Sequence, residues 1–175
     1  MNAIKRFTLL LFTVFSIISC SDADLPNSIL VIRIDGADLH YITLRNLNDN
    51  LNSERITIFD FVHGKDKTYR AFLLKDVLEY SYGSVLTINP DDVMIKFSAL
   101  DGFSASATVT RSLETGGYLA FEDLDVAGGG NWEPVAAENN NNPAPLYIVW
   151  SGQNQNPTTD GYPWPYQLST IDLIN

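Results

Sequence analysis

One cysteine, Cys20, stands in a chain of 175 residues, and it limits the possible folds more than any other feature. A lone thiol cannot close a disulfide within the chain, nor can it build a Cys-rich zinc module. The fold must therefore be held by buried apolar surface. With 45% hydrophobic and 11% aromatic residues, there is enough of it to exclude a disordered chain. The length suits one domain, not two.

The position of Cys20 carries a second message. Lys5 and Arg6 open the chain, Phe7 to Ile18 form an apolar run broken only by Thr8, Thr13 and Ser16, and Ser19 precedes the cysteine. Charged, apolar, small is the order of a secretory signal peptide, and the run is shorter than the roughly 20 residues a spanning helix needs. Ile17-Ile18-Ser19-Cys20 resembles a bacterial lipobox, departing from its commonest form only at Ile18. The resemblance implies a leader over residues 1–19, lipid on Cys20, and a lipidated linker over residues 20–27 that includes the acidic Ser21-Asp22-Ala23-Asp24. It implies a bacterial envelope lipoprotein whose first partner is the membrane. Ser21 favours the outer membrane, with the periplasmic and surface sides both open. Acyl chains hold a protein there at about 0.8 kcal/mol per buried CH₂. The alternative is an ordinary signal peptide with a chance cysteine.

Loss of the leader removes Lys5 and Arg6 and leaves nine bases against 21 acids, a formal −12 where the full chain has −10. Arg111 is the last basic residue, and residues 112–175 hold eight acids without a Lys or Arg. Nucleic acid is disfavoured as a partner, because a phosphate backbone demands a basic face. A basic protein or a cation suits that half better, with simple acidic solubilisation as the alternative.

Along residues 28–175 the pattern predicts one globular domain of α+β class, rich in strands. Ser28 to Ile34, Arg55 to Val62, Ser84 to Ile88, Val93 to Ala99, Phe103 to Val109, Tyr118 to Glu122, Leu146 to Trp150 and Tyr166 to Ile174 read as strands. Asp35-Gly36 and Asp101-Gly102 supply turns, and His63 to Lys67 reads as a loop. Thr43 can cap a short helix bearing Leu44, Leu47 and Leu51. Phe72 to Tyr80 places Leu73, Leu74, Val77 and Leu78 on one stripe that Gly83 can end, and Thr110 to Thr115 predicts one helical turn.

No catalytic residue and no metal site is read from the chain. It lacks G-x-S-x-G, Cys20 belongs to the leader region, and His40 and His63 are the two histidines. Gly128-Gly129-Gly130 lacks the Lys-Ser/Thr of a phosphate loop. Asp123 and Asp125 beside Asn131 match no calcium-loop spacing, and Glu122, Asp123 and Asp125 have no substrate placed beside them for acid–base work. The most unusual segment is Gly161-Tyr162-Pro163-Trp164-Pro165-Tyr166. Its rings, with Trp132 and Trp150 nearby, could stack on a sugar or dock a protein, or could pack down on their own domain. Trp132, Tyr162, Trp164 and Tyr166 are the candidate surface.

The order of several segments resembles the sulfite-oxidase-type molybdopterin-binding domain. Thr68-Tyr69-Arg70-Ala71-Phe72-Leu73-Leu74-Lys75-Asp76-Val77-Leu78 is similar to that family's Y-R-G-V-P-L-x-D-L-L, and Ile95 to Phe103 to its V-x-F-x-A-x-D-G-Y. Tyr118 to Glu122, Pro145 to Trp150 and Trp164 to Leu173 are similar to its later strands, and Ile32 to Gly36 with Tyr41 to Leu47 to its opening. The family's molybdenum ligand is a Cys on the strand that here is Ile56 to Val62, where Asp60 or Phe61 stands; a hard carboxylate is not an equivalent donor. The resemblance thus implies the fold without the cofactor. It also implies a non-catalytic binding or accessory subunit, with a basic electron-transfer protein such as a c-type cytochrome as partner. The alternatives are a molybdopterin-binding oxidoreductase and a surface glycan-binding lipoprotein.

Overall fold

The computed structural model describes residues 28–87, 92–128, 131–136, 139–152 and 161–175. The expected leader, Cys20 and linker lie outside the described residues, as do Ile88 to Asp91, Gly129 and Gly130.

The chain builds two sheets, and the α+β, strand-rich class holds. In the first, β1 (Ile29–Ile34) and β2 (Ala37–Thr43) form a hairpin over Asp35-Gly36, where Asp35 and Gly36 both take positive φ. Helix α1 (Leu44–Asn50) follows. Thr43 caps it in a full capping box with Asn46, and Leu44 and Leu47 turn inward. The sheet is completed by β5 (Met94–Ala99), β6 (Ser104–Thr108) and the last strand, β9 (Leu168–Ile174), in the order β2-β1-β9-β5-β6. β9 runs parallel to β1 and antiparallel to β5.

The second sheet has the order β3-β4-β7-β8, with β3 (Ser53–Asp60), β4 (Lys65–Leu73), β7 (Gly117–Asp123) and β8 (Tyr147–Trp150) all antiparallel. It curls enough for its edge strands β3 and β8 to touch. Helix α2 (Leu74–Tyr82) packs on β4 and β7 and reaches the first sheet through Tyr82, whose hydroxyl donates to the Ile171 carbonyl at 2.8 Å. The short α3 (Val109–Ser112) links β6 to β7. Leu74, Val77 and Leu78 of α2 are fully buried with Ile95, Phe97 and Ile171 of the first sheet and the stacked Phe72 and Phe121 of the second. At about 1.5–3 kcal/mol for each large side chain removed from water, this shared core dominates stability.

Four expectations need correction. Lys65 to Lys67 is not loop but the start of β4, because Lys67 is drawn inward by carboxylates distant in sequence. Phe72 and Leu73 end that strand, and α2 starts one residue later. The run beginning at Ser84 forms a 3₁₀ turn (Gly83–Thr87), an outcome that a short apolar run does not distinguish from a strand. β2 was not anticipated; as an edge strand it buries Ile42 but leaves most of its residues exposed, so it shows little apolar alternation.

Candidate functional site

The concave face of the second sheet carries the densest cluster of polar and aromatic side chains. β3 alternates, with Ile56, Ile58 and Asp60 buried and Arg55, Thr57 and Phe59 exposed. The final inward position is thus a carboxylate with no exposure. Asp60 first makes its own turn: Oδ1 accepts from the backbone N–H of Val62 (2.8 Å) and of His63 (2.9 Å), which fixes the four-residue connection to β4. It then collects two buried phenols. Tyr69 donates to Oδ2 at 2.7 Å and Tyr147 to Oδ1 at 3.2 Å.

His63 completes this group. Its ring is almost fully buried, with Nδ1 3.2 Å from Asp60 Oδ2 but too oblique for a directed hydrogen bond, and Nε2 3.1 Å from the Glu133 carbonyl. Burial alone would raise the Asp60 pKa, but the adjacent His63 imidazole, the Tyr69 hydroxyl and the His63 backbone N–H outweigh it and hold the carboxyl below its ordinary value. Burial likewise works against a charged His63, yet Asp60 wins and the imidazole sits above its ordinary value. Both phenols are pushed well up, by burial first and the Asp60 charge second.

Beside them lies a second charged knot. The Lys67 ammonium is fully buried and donates to Asp123 Oδ2 (2.7 Å) and Glu133 Oε2 (2.9 Å), while Lys65 reaches the other Glu133 oxygen at 2.6 Å. Asp123 also accepts from the Glu133 N–H, and Asp125 from the Thr68 N–H. Bonds to Lys65 and Lys67 pull Glu133 down to about 2. The Asp123 and Asp125 oxygens are thus turned to lysine and to the backbone. Among the described residues, no group of three or more His, Cys, Asp or Glu side chains could hold a metal ion.

The candidate aromatic surface is divided between two places. Trp132 and Trp164 are each 5% exposed and pack around Tyr147, with ring centroids at 6.5 and 6.2 Å; Tyr166 adds a half-buried ring at 6.4 Å. Trp132 also leans on Tyr69 at 5.8 Å. Tyr162 lies apart. It packs on Trp150, bonds Glu114 and sits beneath the Arg111 guanidinium. The segment 161–166 therefore packs largely on its own domain.

The acidic half is equally turned inward. Of the eight acids after Arg111, Glu122 pairs with Arg70, Asp123 and Glu133 hold Lys67, Asp125 caps β4, Glu114 takes Tyr162, and Asp172 accepts from the Gly36 N–H. Glu138 and Asp160 lie outside the described residues. The cations that pair with Glu122, Asp123 and Glu133 come from β4, which charge counting along the sequence could not reveal.

An open cleft of about 460 Å³ lies next to the cluster without reaching its carboxylate. Thr57, Ile58, Phe59 and Phe61 line one side, and Ser151 and Gly152 the other. Phe59 is half exposed and meets Phe61 edge-on at 5.1 Å; Phe61 meets Trp164 at 5.8 Å in the same way. Sequence reasoning named Asp60 only as a replacement and passed over Lys67, Tyr69 and Tyr147. The usable signal was the strict alternation ending in Asp60 and the spacing Lys65, Lys67, Tyr69. No protein-family model matches this chain, and no curated protein matches it.

Of the two residues that stand where the resemblance calls for a thiolate, Asp60 accepts from two backbone amides and two phenols beside Tyr69, Trp132, Tyr147 and Trp164, whereas Phe61 lines the open cleft.

Proposed function

We propose that this chain is a non-catalytic, lipid-anchored accessory domain of the bacterial envelope, with a sulfite-oxidase-like fold whose cofactor position is occupied by the protein's own side chains. One observation supports the reading: Asp60, one of the two residues (with Phe61) at the place of the expected metal ligand, is sealed and satisfied by Val62, His63, Tyr69 and Tyr147. A group committed this fully to internal bonds supports a structural role and leaves binding to the surface. The Phe59–Phe61 cleft is a place for a partner, since it joins exposed aromatic surface to an outer strand edge.

A basic electron-transfer protein such as a c-type cytochrome remains the partner proposed by charge, although internal pairing of the acids after Arg111 weakens the local field that would steer it. The oxidoreductase alternative has the misfit at Asp60 against it, and the glycan alternative loses the open faces of Trp132 and Trp164.

The test is elemental analysis and pterin fluorescence on protein purified from a host that makes molybdopterin. The expected result is neither molybdenum nor pterin; stoichiometric amounts of both would overturn the reading. Mass analysis of the membrane-extracted chain checks the anchor, with cleavage before Cys20 and an acyl mass increment expected.

A further inference from the structure

We infer that one end of the first sheet rests on the lipid surface, with the β5–β6 turn as its contact tip. This goes beyond the proposed function by naming the face that meets the bilayer, and it rests on that reading for the lipid on Cys20.

Strand direction carries the argument. β1 begins at Ile29, β9 runs parallel to it with Val31 opposite Thr170, β5 ends at Ala99 opposite Leu168, and β2 ends at Thr43 opposite Ile29. The start of β1, the end of β2 and the β5–β6 turn therefore lie at the same end of the sheet. Among the described residues, five of the eight large exposed apolar side chains belong to this sheet or its turns. Ile29, Leu100 and Phe103 lie at this end, Tyr41 opposite Val31 with its hydroxyl on Asp38, and Leu39 toward the other end. Leu100 is 67% exposed, Tyr41 61%, Ile29 55% and Phe103 54%. Isolated exposed apolar residues need no explanation, but several at one end of a sheet do.

The tip is held in shape. The Phe103 N–H donates to Asp101 Oδ1 at 2.9 Å, Gly102 turns at φ +91°, and Leu100 N–H donates to the Gln167 carbonyl at 2.9 Å. These bonds fix the turn backbone while Leu100 and Phe103 stay in solvent, so docking them costs little ordering.

What covers them follows from the chain itself. Ser28 enters at this same end, eight residues after Cys20, and eight residues span at most about 28 Å. A lipid on Cys20 would place this end, where the tether attaches, next to the headgroups at high effective concentration. The exposed Arg45 and Asp49 of α1, Asp101 in the turn, and Asp22 and Asp24 of the tether give this end charges of both signs with an acidic excess. Such an end suits zwitterionic headgroups, without the basic cluster that anionic lipid selects.

The experiment uses the full chain, extracted from membranes and reconstituted into phosphatidylethanolamine–phosphatidylcholine vesicles with brominated acyl chains. A polarity-sensitive fluorophore is placed on Leu100→Cys, Phe103→Cys and, as a control, Lys75→Cys on α2. Mass analysis first reads the acyl group on Cys20. The expected result is an acylated chain with labels at 100 and 103 blue-shifted and quenched at least threefold more than the label at 75. An acylated chain with equal quenching at all three sites overturns the docking face while leaving the anchor intact. Protection of 100 and 103 in detergent without vesicles, with a doubled mass in solution, assigns the face to a second copy and also overturns it. A chain without acyl mass removes the anchor, and this inference with it.

Discussion

Replacing Asp60 by alanine removes the acceptor for four donors at once. The two phenols, Tyr69 and Tyr147, have no exposure, so neither can turn to water. A buried donor left without a partner costs about 1–3 kcal/mol, which puts the pair at about 2–6 kcal/mol. The amides of Val62 and His63 lie in a half-buried turn and add less, since solvent can replace the lost oxygen. Relief from desolvating the carboxylate offsets part of the loss. The expected net destabilisation is about 3–5 kcal/mol, a large share of the 5–15 kcal/mol typical of a domain. Asp60→Asn keeps the shape and one acceptor and should cost about half as much. Urea unfolding followed by tryptophan fluorescence reads both values, with Trp132 and Trp164 as reporters beside the cluster. A midpoint shift worth less than about 1 kcal/mol for Asp60→Ala, at unchanged m-value, would refute the reasoning. A double-mutant cycle with Tyr69→Phe adds a check, because coupling below about 0.5 kcal/mol would mean the phenol does not depend on the carboxylate.

Three further outcomes follow from the same geometry. Lys67→Met leaves Asp123 buried without its cation and should cost about 3–5 kcal/mol by denaturant titration, whereas Lys75→Met, an exposed i,i+4 partner of Glu79, should cost under about 0.5 kcal/mol. Gly117→Ala would bring a methyl within 2.7–2.8 Å of the fully buried Trp150 ring and should destabilise by about 1–3 kcal/mol, read as a fall in the thermal midpoint. Asp60 and Glu133 are held below their ordinary values, so their stabilisation is complete above about pH 4.5 and fades as pH falls toward their folded values, about 2 for Glu133. His63 is held above its ordinary value, so its share is complete below about pH 6.5 and lost as pH rises through the folded value. Stability measured against pH should therefore peak between about 4.5 and 6.5, and His63→Gln should remove the alkaline fall while leaving the acid one.

The sequence was most readable where local chemistry decides the structure. Thr43 caps α1, Gly83 ends α2 at φ +55°, and Asp35-Gly36 and Asp101-Gly102 make the expected turns, because each depends on residues within a few positions. It was least readable where distant groups decide. Lys65, Asp66 and Lys67 carry three charges in a row and read as solvated loop; only Asp123 and Glu133, 56 and 66 residues from Lys67, turn that stretch into a strand with a buried ammonium. Phe72 likewise belongs to β4 because Leu119 stands opposite it. The same limit applied to the site. Asp60 could be placed on a strand facing inward, but Tyr147, 87 residues away, was invisible as its partner. Nor does an aromatic-rich loop show in sequence whether its rings face solvent or, as with Trp164, the interior.

The position of β9 has a consequence for how the molecule is made. Among the described residues the strand latest in sequence lies between β1, the earliest, and β5, so the first sheet stays in two pieces until Leu168 to Ile174 have docked. A pairing across some 140 residues closes late and slowly, since the loop entropy is spent before any contact repays it. Deleting the final strand would not merely trim an edge; it would split the sheet through its centre.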